Sequence, residues 1–254
     1  MLFRAARPDA RPPARRTDRP AALPPAWTPP RARLLRFLGG LAICVVGVFL
    51  SLRAGLGLSP WDVLHAGTSE QLGLSFGTVV IAVGLLVLLV SWALGVRPGL
   101  GTLFNVLAVG WGLDALLATS WLEGLADAPV AVRVLAVLGS VAALGFGAAL
   151  YIGAGYGAGP RDSLMVACHQ HGLPIGASRV VIEVTVVVVG WFLGGPVGVG
   201  TVLLAVGTGP AVQASFRLLR QQPPTSEPSP RRAAARRRRA RPAVSVADAE
   251  QQAA

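Results

Sequence analysis

The chain has 254 residues, 53% hydrophobic and only 14% charged, with mean hydropathy +0.58, a balance that excludes an ordinary soluble domain and points to an integral membrane protein. The formal charge of +11 belongs to the ends: residues 1–33 hold eight Arg and two Asp, residues 217–254 hold nine Arg and three acids, and residues 34–216 hold six Arg and seven acids. That segregation argues for membrane-surface electrostatics rather than nucleic acid, and two distant cysteines, Cys44 and Cys168, imply no disulfide framework.

Residues 1–33 are rich in Arg and Pro, cannot bury a core, and read as a disordered cytoplasmic tail. The apolar run that follows lacks a clear cleavage site and continues for about a full bilayer span, so it reads as a retained first helix. Six apolar spans are predicted, at 34–54, 74–95, 99–121, 131–154, 176–195 and 197–217. Each is near the ~20 residues that cross the hydrocarbon core. The pieces 60–72 and 160–173 are too short and too polar for that, and fit short re-entrant or interfacial helices. Residues 218–254 form a second Arg-rich tail, expected to be disordered, cytoplasmic and bound to anionic lipid. The membrane domain is therefore 34–217.

Gly55-Leu56-Gly57-Leu58-Ser59-Pro60-Trp61-Asp62 recurs as Gly155-Tyr156-Gly157-Ala158-Gly159-Pro160-Arg161-Asp162. Each copy ends an apolar run with glycines, then places a small residue, Pro and Asp in order. A small residue before Pro reads as the start of a new helix, with Asp in the first turn where the helix dipole favours it. The agreement continues: Gly99-Leu100-Gly101-Thr102 matches Gly198-Val199-Gly200-Thr201, and Gly110 matches Gly209. These matches predict an internal duplication, with repeat one at 34–122 and repeat two at 131–217. With both tails and Arg97 inside and Glu123 and Asp127 outside, three spans per half insert the second copy upside down. The predicted fold is an all-α, six-span membrane bundle of two inverted three-span repeats, each with a short broken or re-entrant helix. If 60–72 and 160–173 also crossed, the halves would be parallel; their length argues against it.

The first motif, together with Gly99-Leu100-Gly101-Thr102, Asn105, Asp114, Gly194-Gly195 and Gly198-Val199-Gly200-Thr201, resembles the YczE/YitT-like family of bacterial integral membrane proteins. The resemblance covers about 34–217 and implies a multi-pass membrane protein without implying a particular reaction. The second copy departs from the first, with Arg161 at the position of Trp61, Gly159 at that of Ser59, and Gln213 at that of Asp114.

Six residues are candidates for contact with a substrate or coupling ion: Asp62, Asp162, Arg179, Glu183, Asn105 and Asp114. Ionisable groups inside a membrane usually face a bundle interior or water. Arg179 and Glu183 lie four apart on one helical face and read as an internal ion pair, with proton coupling at Glu183 as the alternative. Asp62 and Asp162 read as first-turn caps or as groups at the mouths of a pathway. Asn105 reads as an interhelical hydrogen bond, and Asp114 as a group near the outer end of its span, open to solvent. Ser59, Pro60, Gly159 and Pro160, with Gly99, Gly101, Thr102, Gly198, Gly200 and Thr201, read as structural motif residues. The Gly-x-Gly-Thr copies lack the Gly-Lys-Ser/Thr of a phosphate loop and suit close helix packing. His169 and His171 point to different helix faces, so no metal, cofactor or enzymatic constellation is expected. The leading expectation is a small transporter or permease-like protein of the cell membrane with an unidentified small-molecule substrate, a homo-oligomer being admitted. The alternative is a membrane scaffold or accessory subunit, which would have a packed interior where a transporter has a polar cavity.

Overall fold

The computed structural model describes residues 30–96, 99–157 and 159–221; the expected tails beyond them, Arg97 and Ala158 lie outside the described residues. Among the described residues the chain forms eight α-helices and one short 3-10 turn. The helices are α1 (Pro30–Ala54), α2 (Pro60–Leu72), α3 (Phe76–Ala93), α4 (Leu100–Leu117), α5 (Val130–Gly153), α6 (Pro160–Gln170), α7 (Ile175–Phe192) and α8 (Val199–Leu218), with the 3-10 turn at Glu123–Asp127. Five of them, α1, α3, α4, α5 and α8, are long and apolar enough to cross a membrane. Helix α7 matches α3 in length and carries Arg179 and Glu183 in its first half. At about 1.5 Å per residue, α2 and α6 reach only about 20 Å and about 17 Å, short of the hydrocarbon thickness.

Helix starts follow from local chemistry. Ser59 is extended, with Pro60 at the first helical position, and Gly159 and Pro160 repeat the arrangement at α6. Ser75 caps α3 by accepting from the Thr78 N–H.

Helices α1 and α5 pack along their whole length. A Cβ at Gly40 would come within 2.7 Å of the Gly147 carbonyl, and one at Gly47 within 3.2 Å of Ala143, so the two backbones nearly touch. The Ser140 hydroxyl donates to the Gly47 carbonyl at 2.6 Å. Low-numbered residues of one helix meet high-numbered residues of the other, so the pair is antiparallel. Each helix also caps its neighbour. Arg133, near the start of α5, donates to the carbonyls of Ala54 and Gly55, both at 2.8 Å. Arg33, near the start of α1, donates to the carbonyl of Ala154 at 3.2 Å. A guanidinium over a helix C-terminus satisfies orphan carbonyls and suits the dipole.

The remaining helices interleave. Helix α2 packs on α7 and α6 on α3, so each short helix lies against a long helix of the other half of the chain. Trp61 packs near Ile182 and Val186. Further along, Gln71 donates to the Leu193 carbonyl at 3.1 Å, so α2 and α7 run parallel. The outer surface is apolar, with Leu86, Leu89, Trp92, Val181 and Phe192 all exposed. In water that would be a large apolar patch; against lipid it is the face matched to its solvent.

Candidate functional site

Helices α2 and α6 both begin at a central cavity of about 370 Å³ to which all eight helices contribute side chains. Asp62, in the first turn of α2, is buried and neutralised on three sides. Ser59 Oγ donates to its Oδ2 at 2.5 Å, His65 Nδ1 lies 3.4 Å from Oδ1, and Arg161 Nη2 lies 3.6 Å from Oδ1. Arg161 reaches across from α6 and also covers the Trp61 ring, 5.2 Å from its centroid.

Asp162 holds the corresponding place in α6 and lines the cavity. Gly159 and Met165 stand where Ser59 and His65 stand in the first copy. Asp162 has no ion pair and no side-chain hydrogen-bond partner among the described residues; the Gly159 backbone and the more distant Arg161 and Arg179 are what face it, so the same carboxylate is enclosed by side chains in one half and not in the other. Arg179 and Glu183 also line the cavity, joined by an Nε–Oε1 hydrogen bond of 2.8 Å. Five of the six candidates therefore meet: Asp162, Arg179, Glu183 and Asn105 face the cavity, and Asp62 sits behind Ser59 and His65 in its wall.

Asn105 lines the same cavity. Instead of the expected interhelical hydrogen bond, its amide makes none among the described residues although the residue is only 9% exposed. A buried amide without a protein partner on a cavity wall is available to water or a ligand. Asp114 also departs from expectation. It does not line the cavity; its carboxylate accepts from Ser75 Oγ at 2.6 Å and from the Gly77 N–H at 2.7 Å, tying α4 to the start of α3. Gln213, at the corresponding place on α8, is an exposed cavity residue.

The Gly-x-Gly-Thr segments seat the loops that precede the short helices. Gly57 and Gly157 have φ of 104° and 134°, a region that favours glycine. A Cβ at Gly57 would come within 2.6 Å of the Gly198 nitrogen and 2.7 Å of Thr201 Oγ1, and one at Gly157 within 2.7 Å of Thr102 Oγ1. The Gly200 N–H donates to the Leu56 carbonyl at 2.8 Å, Gly101 lies against the Tyr156 backbone, and Gly99 and Gly198 stand at the starts of α4 and α8. The close packing expected of these glycines is thus with a loop of the other half rather than with a helix. His169 and His171 each place Nδ1 2.9 Å from a nearby backbone carbonyl, and no three-residue metal cluster occurs among the described residues.

Sequence reasoning missed Arg161 and Tyr151 as cavity residues. The signal for Arg161 was available, because arginine at a position matching Trp61 in an apolar core calls for a carboxylate partner. Tyr151 carried no such signal.

These features define a helical membrane protein with an internal cavity in which a few ionisable groups stand in a largely apolar wall. The chain belongs to the Family of unknown function (DUF6198), whose model matches residues 31–217 and leaves out most of the two Arg-rich ends. It is 36% identical over 200 residues to an uncharacterized protein of Haemophilus influenzae, covering 78% of this chain and 89% of that protein. It is 34% identical over 176 residues to the uncharacterized membrane protein YczE of Bacillus subtilis, covering 68% of this chain and 80% of YczE. The uncharacterized protein YyaS of Bacillus subtilis is 28% identical over 170 residues, covering 65% of this chain and 82% of YyaS. No solved structure matches the chain.

Proposed function

We propose that the protein is a small-solute transporter of the bacterial cell membrane, a carrier rather than an enzyme, built from two inverted three-span halves with both termini cytoplasmic. The observation that carries this reading is the cavity lined by all eight helices, where two short helices begin and ionisable groups collect. Discontinuous helices meeting at a central site are the usual architecture of carriers that alternate access between membrane faces. The antiparallel α1–α5 pair, with its reciprocal Arg33 and Arg133 caps, supports inversion of the halves. Anionic lipid under the Arg-rich tails fits the same orientation.

A second observation supports alternation. Helices α3 and α4 pack closely, with Gly77 pressed against the Gly110 carbonyl and Asp114 bridging them. Helices α7 and α8, their counterparts, make almost no contact. Gly176, which matches Gly77, has no described atom within 4 Å of its Cβ position, and for Gly209 the nearest is Arg179 Nη1 at 3.7 Å. One half is sealed and the other parted, the asymmetry expected of a two-fold carrier held in one access state. In the other state α7 closes on α8 while α3 leaves α4 and Asp114 releases Ser75 and Gly77. A membrane scaffold with a packed interior has no use for such a cavity.

The test is side-specific thiol labelling in a background with Cys44 and Cys168 replaced by Ala. Gln213→Cys, on the parted side, is expected to react with an impermeant reagent from the cytoplasmic face. Val109→Cys, in the cavity wall below the sealed side, is expected to stay protected from the outer face until Asp114→Ala is added and then to react from outside. Labelling from one face only, unchanged by Asp114→Ala, indicates a fixed vestibule and refutes alternating access.

A further inference from the structure

We propose that the cavity binds a small organic monocation with an apolar body, of the protonated amine or amidine class, and that Asp162 is the carboxylate that receives its charged head. The inference rests on the transport reading and adds the substrate class to it. It starts from a charge count. Asp62 faces Arg161, Glu183 faces Arg179, and Asp162 alone has no cationic partner within ion-pair distance among the described residues. The cavity therefore holds one carboxylate with no cation at ion-pair distance, its two guanidiniums being paired with Asp62 and Glu183. A charge taken out of bulk water is costly until something pairs with it and completes its hydrogen bonds, and here the ligand supplies what the protein omits.

The contrast between the two copies shows what is omitted. Ser59 donates to Asp62 across the first turn of α2. At α6 the same place is Gly159, whose missing Cβ would stand 3.2 Å from the Tyr151 hydroxyl and 3.7 Å from Asp162 Oδ2. No side chain caps Asp162 from this position, and the Tyr151 hydroxyl stands close to where a serine Cβ would go. The body of the ligand follows from the rest of the wall, which includes Leu41, Val80, Val83, Val109, Leu144 and Ala148. A volume of about 370 Å³ lies at the small end of ligand pockets and suits a compact molecule rather than a polymer or a whole lipid. The unpartnered amide of Asn105 offers a further polar contact inside the same wall.

The test uses four probes that share a phenyl body and differ in their polar head: benzylammonium, a cation; benzyl alcohol, neutral; benzoate, an anion; and phenylalanine, a zwitterion. Binding to the purified full chain in lipid nanodiscs is measured by titration calorimetry and by thermal shift, since a ligand that binds only the native state raises stability. Benzylammonium is expected to bind at least tenfold more tightly than the other three. Asp162→Asn, isosteric and neutral, is expected to lower that affinity at least tenfold. Gly159→Ser is expected to weaken it severalfold by capping the carboxylate from within, and it keeps the test decisive if Asp162→Asn fails to fold. Its backbone φ of −64° suits serine, and the Tyr151 hydroxyl has to shift by a few tenths of an ångström to admit the Cβ.

Tighter binding of benzyl alcohol, benzoate or phenylalanine than of benzylammonium overturns the cation class. Benzylammonium affinity unchanged in both variants overturns the role of Asp162. If none of the four binds while Gln213→Cys and Val109→Cys still exchange sidedness, the substrate class fails and the transport reading stands. If sidedness is also fixed, both fail.

Discussion

Replacing Glu183 by Gln removes one member of the ion pair on α7, and the cost depends on what surrounds the pair. Breaking a fully buried pair costs about 3–5 kcal/mol, because the remaining charge is stranded. An exposed pair at this spacing on a helix is worth only about 0.3–0.5 kcal/mol. The Arg179 side chain is 39% exposed and that of Glu183 is 22% exposed, and both line the cavity. Water in the cavity can therefore hydrate Arg179 once its partner is gone. The expected loss for Glu183→Gln is about 1 kcal/mol, between those limits and nearer the lower. Arg179→Met combined with Glu183→Leu is expected to show a coupling energy of about 0.5–1 kcal/mol relative to the two single changes. Reversible unfolding in mixed micelles, followed by tryptophan fluorescence, measures the wild type, the three single variants and the double variant. A single-mutant loss above about 3 kcal/mol, largely recovered in the double mutant, would mean that the pair is sealed from water. It would refute the hydrated cavity at this point.

Topology reporters fused after Pro129 and after Arg220 are expected on opposite sides of the membrane; the same side at both sinks the six-span arrangement. Deleting residues 225–254 is expected to leave insertion intact and to weaken salt-sensitive binding to anionic vesicles, at about 1 kcal/mol per Arg near the surface; vesicle binding that is unchanged removes the lipid role of that tail. Arg133→Met uncovers the carbonyls of Ala54 and Gly55 and is expected to cost about 1–2 kcal/mol in the same micelle assay. A neutral result there shows that water serves those carbonyls equally well.

The elements were legible where one physical constraint acts alone. Hydrocarbon thickness sets the length of an apolar run, so the described helices sit within a few residues of the expected spans. Ser59-Pro60 and Gly159-Pro160 mark helix starts by backbone chemistry, and α2 and α6 begin at those prolines. The six-span count and the inversion of the halves stay with the proposal. The site was less legible because its members come from distant segments. Arg161 meets Asp62 across ninety-nine residues of sequence, and nothing local to Asp62 signals that partner. From its own helix Asp114 reads as a solvated end of α4, because its cap on α3 is invisible there. Asn105 was assigned a protein hydrogen bond, the usual fate of a membrane amide, where the structure leaves a cavity.

The differences between the two copies bear most directly on function. Ser59 and Gly159, Trp61 and Arg161, and His65 and Met165 occupy matching places, and Ser59, His65 and Arg161 all serve Asp62 while no side chain pairs with Asp162 at ion-pair distance. Arg161 does so from the second copy, crossing the cavity to the first. A carrier with two equal carboxylates at its centre would hold two uncompensated charges near one small volume and would need two cations to neutralise them. Enclosing one with Ser59, His65 and Arg161 removes that demand and links α2 to α6. The other remains for a ligand with one positive charge. On the proposed reading, the two matching segments supply the frame for two access states, and the places where they differ leave one carboxylate for a substrate to match.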